Sequence, residues 1–578
     1  MKNRINRYAA FCILGLAGSL LPAIVNGQDL DMDTIDIIGP YNPTIADAYK
    51  ISDFPKVDDT PPVKAELKYG INSDKFSSDF EVVPVKPARI KGEPLQKLYR
   101  GYIKLGGGSP GIFAADGFYN SLRSKRKSWG VQVNHLSSAG KIPDVGYSGF
   151  GETGVNLYGK KFLKRHTLSG GLDYDRNNLH FYGFDTTDVT IATLDDSIIG
   201  KDATLQVFNV IGGHARLLSH YKDSMHINYD VKFNYYNLTD NYQTMENHFN
   251  LSGDLSRYVE KEFVQVHIKI DHNDDRYYKD ADSTRIIANT ILTLRPQITA
   301  VGSKYKLTVG INSVLDVIGD VNAFGRIYPS VYFSYTLIKD IMIPYAGIGG
   351  GLKRNSIRIL SSENPYILTD LSDDQNKTSI NNTINSIKFY GGVKGVFGSS
   401  TTLKSSFNVS ATWDKLDNQY FYVNDTSDAL GNRFTLVYDN VVRFNVHAEM
   451  SFHVREKIRL MLVGDLNQYK MDFQDKAWHQ PGYRFSFLGS YNLQEKIIAK
   501  ADIFAIGEQY AKTYDKDGLV LPVKLKGVVD ANIELEYRYT KKLSAYLKLN
   551  NIAAQQYVRW NGYPNLRFSF LGGITYIF

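Results

Sequence analysis

Three stretches of this chain alternate between apolar and polar residues with almost no exceptions. In 227–235, Ile227, Tyr229, Val231, Phe233 and Tyr235 hold one parity, and Asn228, Asp230, Lys232 and Asn234 hold the other. In 264–271 the split is complete: Val264, Val266, Ile268 and Ile270 against Gln265, His267, Lys269 and Asp271. In 529–539 every second place is polar, through Asp530, Asn532, Glu534, Glu536 and Arg538. A period of two is that of a β-strand, whose successive side chains point to opposite faces. From 101 to 578 such runs follow one another, joined by turns, with no helical signal between them. A soluble sandwich also alternates, but it places its polar face outside and needs fewer strands. Charges in strand after strand predict instead a barrel with a polar lumen and a lipid-facing exterior. On that reading His226, Asn228, Asp230, Lys232, Gln265, His267, Lys269, Asp530, Glu534, Glu536 and Arg538 line the lumen.

Connection lengths give a second signal. Short turns are expected at 124–127, 164–165, 221–223, 260–261, 302–304, 339–340, 398–400, 455–457, 495–496 and 541–542. Longer loops are expected at 185–202, 274–283, 355–382, 416–432 and 507–526. Alternation of the two classes predicts an even number of strands, about 22, with both barrel ends on the short-turn side. The last stretch, 566–578, is itself an alternating strand that ends on Phe578.

The N-terminus is different. Lys2, Arg4 and Arg7 precede an apolar run over 9–23, and Val25-Asn26-Gly27 offers a cleavage point. Residues 1–27 therefore read as a secretory signal peptide. The single cysteine, Cys12, lies inside that run, so the mature chain has none. Disulfides, thiolate metal sites and cysteine nucleophiles drop out. Residues 28–100 contain eight of the 18 prolines. Such a density breaks helices and ladders, so this segment reads as extended, irregular and periplasmic. Within it, Asp33-Thr34-Ile35-Asp36-Ile37-Ile38 reads either as a strand-prone scrap or as a strand that adds to the edge of a partner's sheet.

Composition narrows the classes further. The net charge of +7 comes from scattered Lys and Arg, not a basic stripe, so no nucleic-acid partner is expected. Forty Tyr and 30 Phe suit the aromatic girdles of a membrane barrel. Past the N-terminus no apolar run approaches the roughly 20 residues of a membrane helix. Gly149-Phe150-Gly151-Glu152-Thr153-Gly154 has dinucleotide-fingerprint spacing but no helix to follow it, and reads as a strand bend. The 12 histidines are dispersed. The acidic run 271–282 lacks the glycine and spaced glutamate of a calcium loop, and reads as solvated. No nucleophile–base constellation stands out, so neither catalysis nor a cofactor is expected.

Short motifs carry a resemblance. Leu547-Lys548-Leu549-Asn550-Asn551-Ile552, then Gln556-Tyr557-Val558-Arg559-Trp560-Asn561-Gly562-Tyr563-Pro564, then the closing strand resemble the end of a TonB-dependent outer-membrane receptor. Gly39-Pro40-Tyr41-Asn42-Pro43-Thr44 and Gly92-Glu93-Pro94-Leu95 resemble a receptor-like group of Bacteroidetes. The resemblance implies an all-β, transmembrane antiparallel barrel in the outer membrane, with its N-terminus in the periplasm. It implies passage of a polar solute, and Tyr576 and Phe578 as the signal read by the barrel-assembly machinery. It also implies TonB, through residues 33–38, or a surface lipoprotein as partner. The chain departs from the family at 28–100, which is proline-rich and unlike the folded plug of such receptors. Either this segment or a partner would close the lumen. The alternative is a non-transporting scaffold that anchors a complex through its tail and external loops.

Overall fold

The structure is a computed structural model that describes residues 98–578, apart from 141, 224, 281–282, 320–321, 370–379, 399–402, 426–429, 456 and 515–518. The expected signal peptide, the edge strand Asp33 to Ile38 and nearly all of the proline-rich segment lie outside the described residues.

From Gly101 onward the chain forms one 22-stranded antiparallel sheet that closes on itself. The first strand, Gly101–Ser109, pairs with Ile112–Asn120 on one side and with the last strand, Ser569–Ile577, on the other. Between them each strand pairs with its neighbours in sequence. Two small hairpins stand apart from the barrel: Gln509–Tyr514 with Val520–Leu525, and Val558–Trp560 with Tyr563–Pro564. Helices are short: Val189–Ala192, Asp196–Ile199 and Ile357–Glu363.

The sequence alternation sorts the two faces. Leu172, Ile211, Ile298, Val309, Leu462 and Ile574 are exposed on the outer face of six strands around the ring. Such a continuous apolar belt is what lipid solvates and water does not. The polar parity turns inward.

All ten short turns fall at the barrel end that also holds Phe578. The opposite end is mixed. It carries the long excursions 181–204, 354–382, 507–527 and 551–568, but also the tight connections 110–111 and 240–243. Two expected loops are strand instead. Residues 274–283 belong largely to a tall hairpin, Glu262–Asp280 with Ser283–Val301. There both parities become polar, which looks like a loop in sequence, yet the ladder runs on and Thr244 still pairs with Tyr277. Likewise Leu403–Asn424 keeps its pairing as far as Asn424 opposite Phe434, past an irregularity between Leu416 and Gln419. Only 425–433 leaves that ladder. Tyr420, Tyr422 and Phe434 are buried there, so packing holds the strand beyond the belt.

The seam between first and last strands is built from glycine. Gly106 and Gly573 pair across it, and the Tyr546 ring lies over both. Lys104 sits over the same ring at 4.0 Å. Glu534 gathers Lys104, Lys500 and Lys548 at 3.8, 3.5 and 3.4 Å, tying the first strand to three strands of the other flank. A Cβ on Gly573 would collide with the Leu105 carbonyl oxygen and the Tyr546 hydroxyl. Gly253, by contrast, faces open space. Gly573→Val should therefore destabilise closure by about 1–3 kcal/mol, the usual cost of overpacking. Heat-modifiable mobility on gels should show a smaller folded fraction and a lower melting temperature for Gly573→Val. Gly253→Ala should match the parent.

Candidate functional site

The loop 354–382 leaves the wall between the strands Ile343–Lys353 and Thr383–Phe397, and it is tied down where it starts. Arg354 turns back into the wall. Its Nε donates to Asp271 Oδ1, its Nη2 to the Asp271 carbonyl at 2.6 Å, and its Nη1 to Asn289 Oδ1 at 2.7 Å. Asp271 also receives Lys269 at 2.6 Å and His248 at 3.0 Å. The base is closed by Asn355, whose amide nitrogen donates to the Asn381 carbonyl at 2.8 Å and to Thr383 Oγ1 at 2.9 Å.

Next comes the helix Ile357–Glu363, begun by Ser356. Its first free N–H is taken by a wall residue: Ile357 N donates to Glu246 Oε2 at 2.5 Å, while Tyr236 OH donates to Glu246 Oε1 at 2.5 Å. A carboxylate at a helix start is electrostatically favoured, and burial makes its hydrogen bonds obligatory. Glu246 is fully buried. Ile357 packs with Leu179, Phe208, Val210, Tyr236, Leu238 and Tyr277. Leu360, one turn on, packs with Tyr420, Tyr422, Phe434, Trp560 and Tyr563. The first group sits on strands from 166 to 280, and the second on strands from 403 to 454 and on the loop 551–568. A loop that springs from between 353 and 383 reaches both only by crossing the inside of the barrel.

The far end of this helix is held by tyrosines. Tyr420 OH donates to Glu363 Oε2 at 2.6 Å, and Tyr422 OH to the Leu360 carbonyl at 3.0 Å. Beyond it, Tyr366 stacks on Tyr563 with centroids 3.6 Å apart, and Tyr182 meets Tyr563 edge-on at 4.9 Å. Tyr563 OH donates to the Asn432 carbonyl at 2.5 Å, and Asn432 Nδ2 donates to the Phe181 carbonyl at 2.6 Å. His479 adds the connection 472–482. Its Nε2 accepts from Asn561 N at 3.3 Å, so its Nδ1 carries the proton and donates to the Tyr422 carbonyl at 3.0 Å. Its ring lies 5.1 Å from Trp560 and 5.5 Å from Phe434. Burial there pushes the imidazole pKa down to about 4, against the opposing pull of the Tyr422 carbonyl. Five connections thus meet in one aromatic cap across the long-loop end.

The cap identifies the inner face. Tyr236 shares its strand face with Asn228, Asp230 and Lys232, and Glu246 shares a face, through the ladder, with Gln265, His267 and Lys269. All six therefore face inward. Asp230 receives Arg216 at 2.6 and 2.8 Å and Lys232 at 3.1 Å. His267 meets Asp254 at 2.8 Å, and Gln265 accepts from Gln297 at 2.7 Å. Asn228 accepts from Tyr221 N at 2.8 Å. His226 sits apart from these, in the turn before its strand, stacked on Tyr221 and 2.6 Å from Asp223. Asp530, buried, accepts from the backbone N–H of Ala531 and Ala553 at 2.7 and 3.2 Å, and so positions the base of loop 551–568. Glu534 holds the lysines of the seam, and Glu536 pairs with Arg538 at 3.2 Å. Tyr576 is exposed in the closing strand, and the Phe578 carbonyl accepts from Arg100 N and Gly101 N at 2.8 and 3.2 Å. In the acidic run, Asp271 is engaged with Arg354 and Asp274 with Arg276 at 2.8 Å. No group of acidic, histidine or cysteine residues poised for a metal occurs among the described residues.

Sequence reasoning missed the cap. Arg354, Glu246, Tyr366 and His479 carry no local pattern. The motif at 556–564 was visible, but as a terminal signature; in three dimensions its Trp560 and Tyr563 are cap residues. Gly562 adopts φ +83°, and a side chain there would press on the Gly183 carbonyl, so that motif is shaped by the cap.

No protein-family model matches the chain, and no curated protein matches it. Solved structures do. The FrpB iron transporter from Neisseria meningitidis (F3-3 variant) is similar over 84% of this chain and 82% of its own, with TM-score 0.63 and 10% identity. The pyoverdine outer membrane receptor FpvA from Pseudomonas aeruginosa PAO1 is similar over 84% and 79%, with TM-score 0.60 and 13% identity. The copper transporter OprC is similar over 83% and 80%, with TM-score 0.59 and 12% identity. At these identities the likeness is one of fold.

The buried imidazole makes the cap sensitive to acid. His479 is neutral when packed, and protonating it costs the bond from Asn561. Its pKa is lower in the closed cap, about 4, than the ordinary imidazole value of 6.5. Cap stability is then full above pH 6.5 and is lost as pH falls toward 4, by on the order of 3 kcal/mol. Tryptophan emission, dominated at the cap by Trp478 and Trp560, should shift red over that window. In His479→Gln the shift should flatten.

Proposed function

We propose that this chain is an outer-membrane barrel that takes up a polar solute, with its outer mouth held shut at rest by the loop 354–382. The observation that carries this reading is the helix Ile357–Glu363 packed inside a closed barrel, with Ile357 against strands between 166 and 280 and Leu360 against strands between 403 and 454 and the loop 551–568. A scaffold needs a rigid rim; it has no use for a helix that blocks a polar interior. The apolar outer belt supports residence in lipid. The likeness of fold to barrels described as an iron transporter, a pyoverdine receptor and a copper transporter supports a role in uptake.

In this reading the short turns and the N-terminus lie in the periplasm and the long loops outside. Residues 1–27 direct export, and Tyr576 and Phe578 present the closing strand to the assembly machinery. Residues 28–100 remain in the periplasm, where Asp33 to Ile38 offers a strand to a partner such as TonB. The outer loops face either free solute or a surface lipoprotein. Opening must release the Arg354 and Glu246 anchors, so it requires a ligand or partner that binds the open form better than the closed one.

The test is permeation in liposomes. Residues 356–380 can be replaced by a short Gly-Ser linker, because Asn355 and Thr383 are already hydrogen-bonded to each other. The parent should admit small neutral solutes slowly, and the cap-deleted variant about tenfold faster or more. If a variant lacking both the cap and residues 28–97 is folded yet as impermeable as the parent, uptake is the wrong reading. The scaffold alternative would then gain from a partner that co-purifies only with the intact tail.

A further inference from the structure

Beside Tyr182 and Tyr366 lies a cavity of about 410 Å³, within the range of small-ligand pockets. We propose that it binds a neutral, polyhydroxylated solute, a short oligosaccharide. This inference builds on the uptake reading and names the class of its solute.

The argument rests on which hydrogen-bonding groups are left free. His180 lines the cavity and is buried. Its Nδ1 lies 2.7 Å from the Gly149 carbonyl, which can only accept, so Nδ1 bears the proton. Its Nε2 is then a bare acceptor, and it is buried without a partner. Glu152 and Asn177, paired across the ladder, also line the cavity, and neither has a hydrogen bond or ion pair among the described residues. Asn532 spends its Oδ1 on Asn551 N at 3.0 Å and keeps its amide N–H groups. Asn550 spends its amide nitrogen on Ser569 at 3.3 Å and keeps its Oδ1.

The available set is therefore mixed: His180 Nε2, the Glu152 carboxylate and Asn550 Oδ1 accept, Asn532 and the Arg567 guanidinium, which gives Nη2 to Gln556 at 3.0 Å, donate, and Asn177 does both. A carboxylate or phosphate ligand only accepts: it could pair with Arg567 at the exposed edge, but it would confront three acceptors, among them the buried His180 Nε2. An ammonium only donates, and it would leave the amide N–H groups of Asn177 and Asn532 dry. A hydroxyl does both, and adjacent hydroxyls match adjacent donors and acceptors. Of these groups His180 Nε2 is the one buried without a partner, so it discriminates most strongly against ligands that fail to satisfy it; Glu152 is exposed and the asparagines are half-buried. Phe150 and the two tyrosines supply flat apolar surface on the remaining sides, suited to the C–H face of a sugar ring. Tyr366 belongs to loop 354–382 and Glu152 to the wall, so the same ligand would contact both the cap and the barrel.

The test uses the purified full-length chain in detergent. The probes are maltotriose, cellotriose and chitotriose, with citrate, spermidine and trialanine as contrasts, each followed by saturation-transfer NMR and calorimetry. At least one trisaccharide should bind, while citrate and spermidine should not. Asn177→Ala and His180→Phe should each weaken that binding about tenfold or more. Asn177→Asp, nearly isosteric, should weaken it as well and guards against a folding artefact. The proposal is overturned if none of the three sugars binds, if binding ignores these substitutions, or if trialanine alone binds in an Asn177-dependent way. Sugar binding with no permeation in liposomes would remove the uptake reading and leave the site standing. Permeation with no sugar binding would do the reverse.

Discussion

Closure of the sheet is the constraint from which everything else follows. A strand in lipid cannot leave its N–H and C=O groups unpaired, so the first strand must find the last one. Here Gly101–Ser109 does so against Ser569–Ile577 across a run of glycines, whose missing side chains leave room for Tyr546, with Lys104 against its ring, to lie over the joint. Closure separates an inside from an outside, and only then does sequence parity acquire meaning. One parity meets lipid. The other meets whatever the loops put into the interior.

What they put there is a helix of two turns, and its anchors differ in kind. Glu246 and Tyr236 satisfy its start, while Tyr420 and Tyr422 satisfy its end. Each is a buried polar pairing that would be costly to break by halves, because the group left behind stays buried. Arg354 with Asp271 follows the same rule: removing one partner leaves an uncompensated charge, whereas moving the whole loop lets both ends rehydrate. The cap is therefore stiff against small displacements and free to move as a unit. That is the behaviour the proposed gate requires, and the burial of His479 adds a dependence on pH.

The fold was legible in the sequence because a period of two survives any single substitution, and 22 repetitions average out its errors. Turn lengths at one end were legible for the same reason. The two misread loops show where that signal ends: over 271–275 the inward parity is polar although buried, as Asp271, Asn273 and Asp275, and the other parity is polar too, so alternation vanishes although the ladder does not. The cap was not legible, because it depends on contacts between residues as far apart as Glu246 and Ile357, or Phe181 and Asn432. No local pattern records which of several polar loops will fold inward. The motif at 556–564 was a partial exception. Its aromatic and glycine residues were conspicuous, and they proved to be where the cap is most tightly knit.

The interior charges also take on a different sense. Read from sequence, Asp230, Lys232, Lys269, Glu534, Glu536 and Arg538 suggest a lumen whose field steers polar solutes. In the structure each of them is spent on a neighbour: Asp230 on Arg216 and Lys232, Lys269 on Asp271, Glu534 on three lysines, Glu536 on Arg538. Only Glu536 with Arg538 is balanced; Glu534 among three lysines, Asp230 between Arg216 and Lys232, and Asp271 between Lys269 and Arg354 each leave an excess of positive charge, so pairing reduces the field of these residues without removing it. Their work is to stiffen the wall. His180 Nε2, Glu152 and Asn177, which spend nothing on a neighbour, lie together beside the cap, and two of the three are uncharged. On the proposed reading, selectivity rests on hydrogen-bond matching in the cavity beside the cap, with the buried His180 Nε2 as the group a ligand must satisfy.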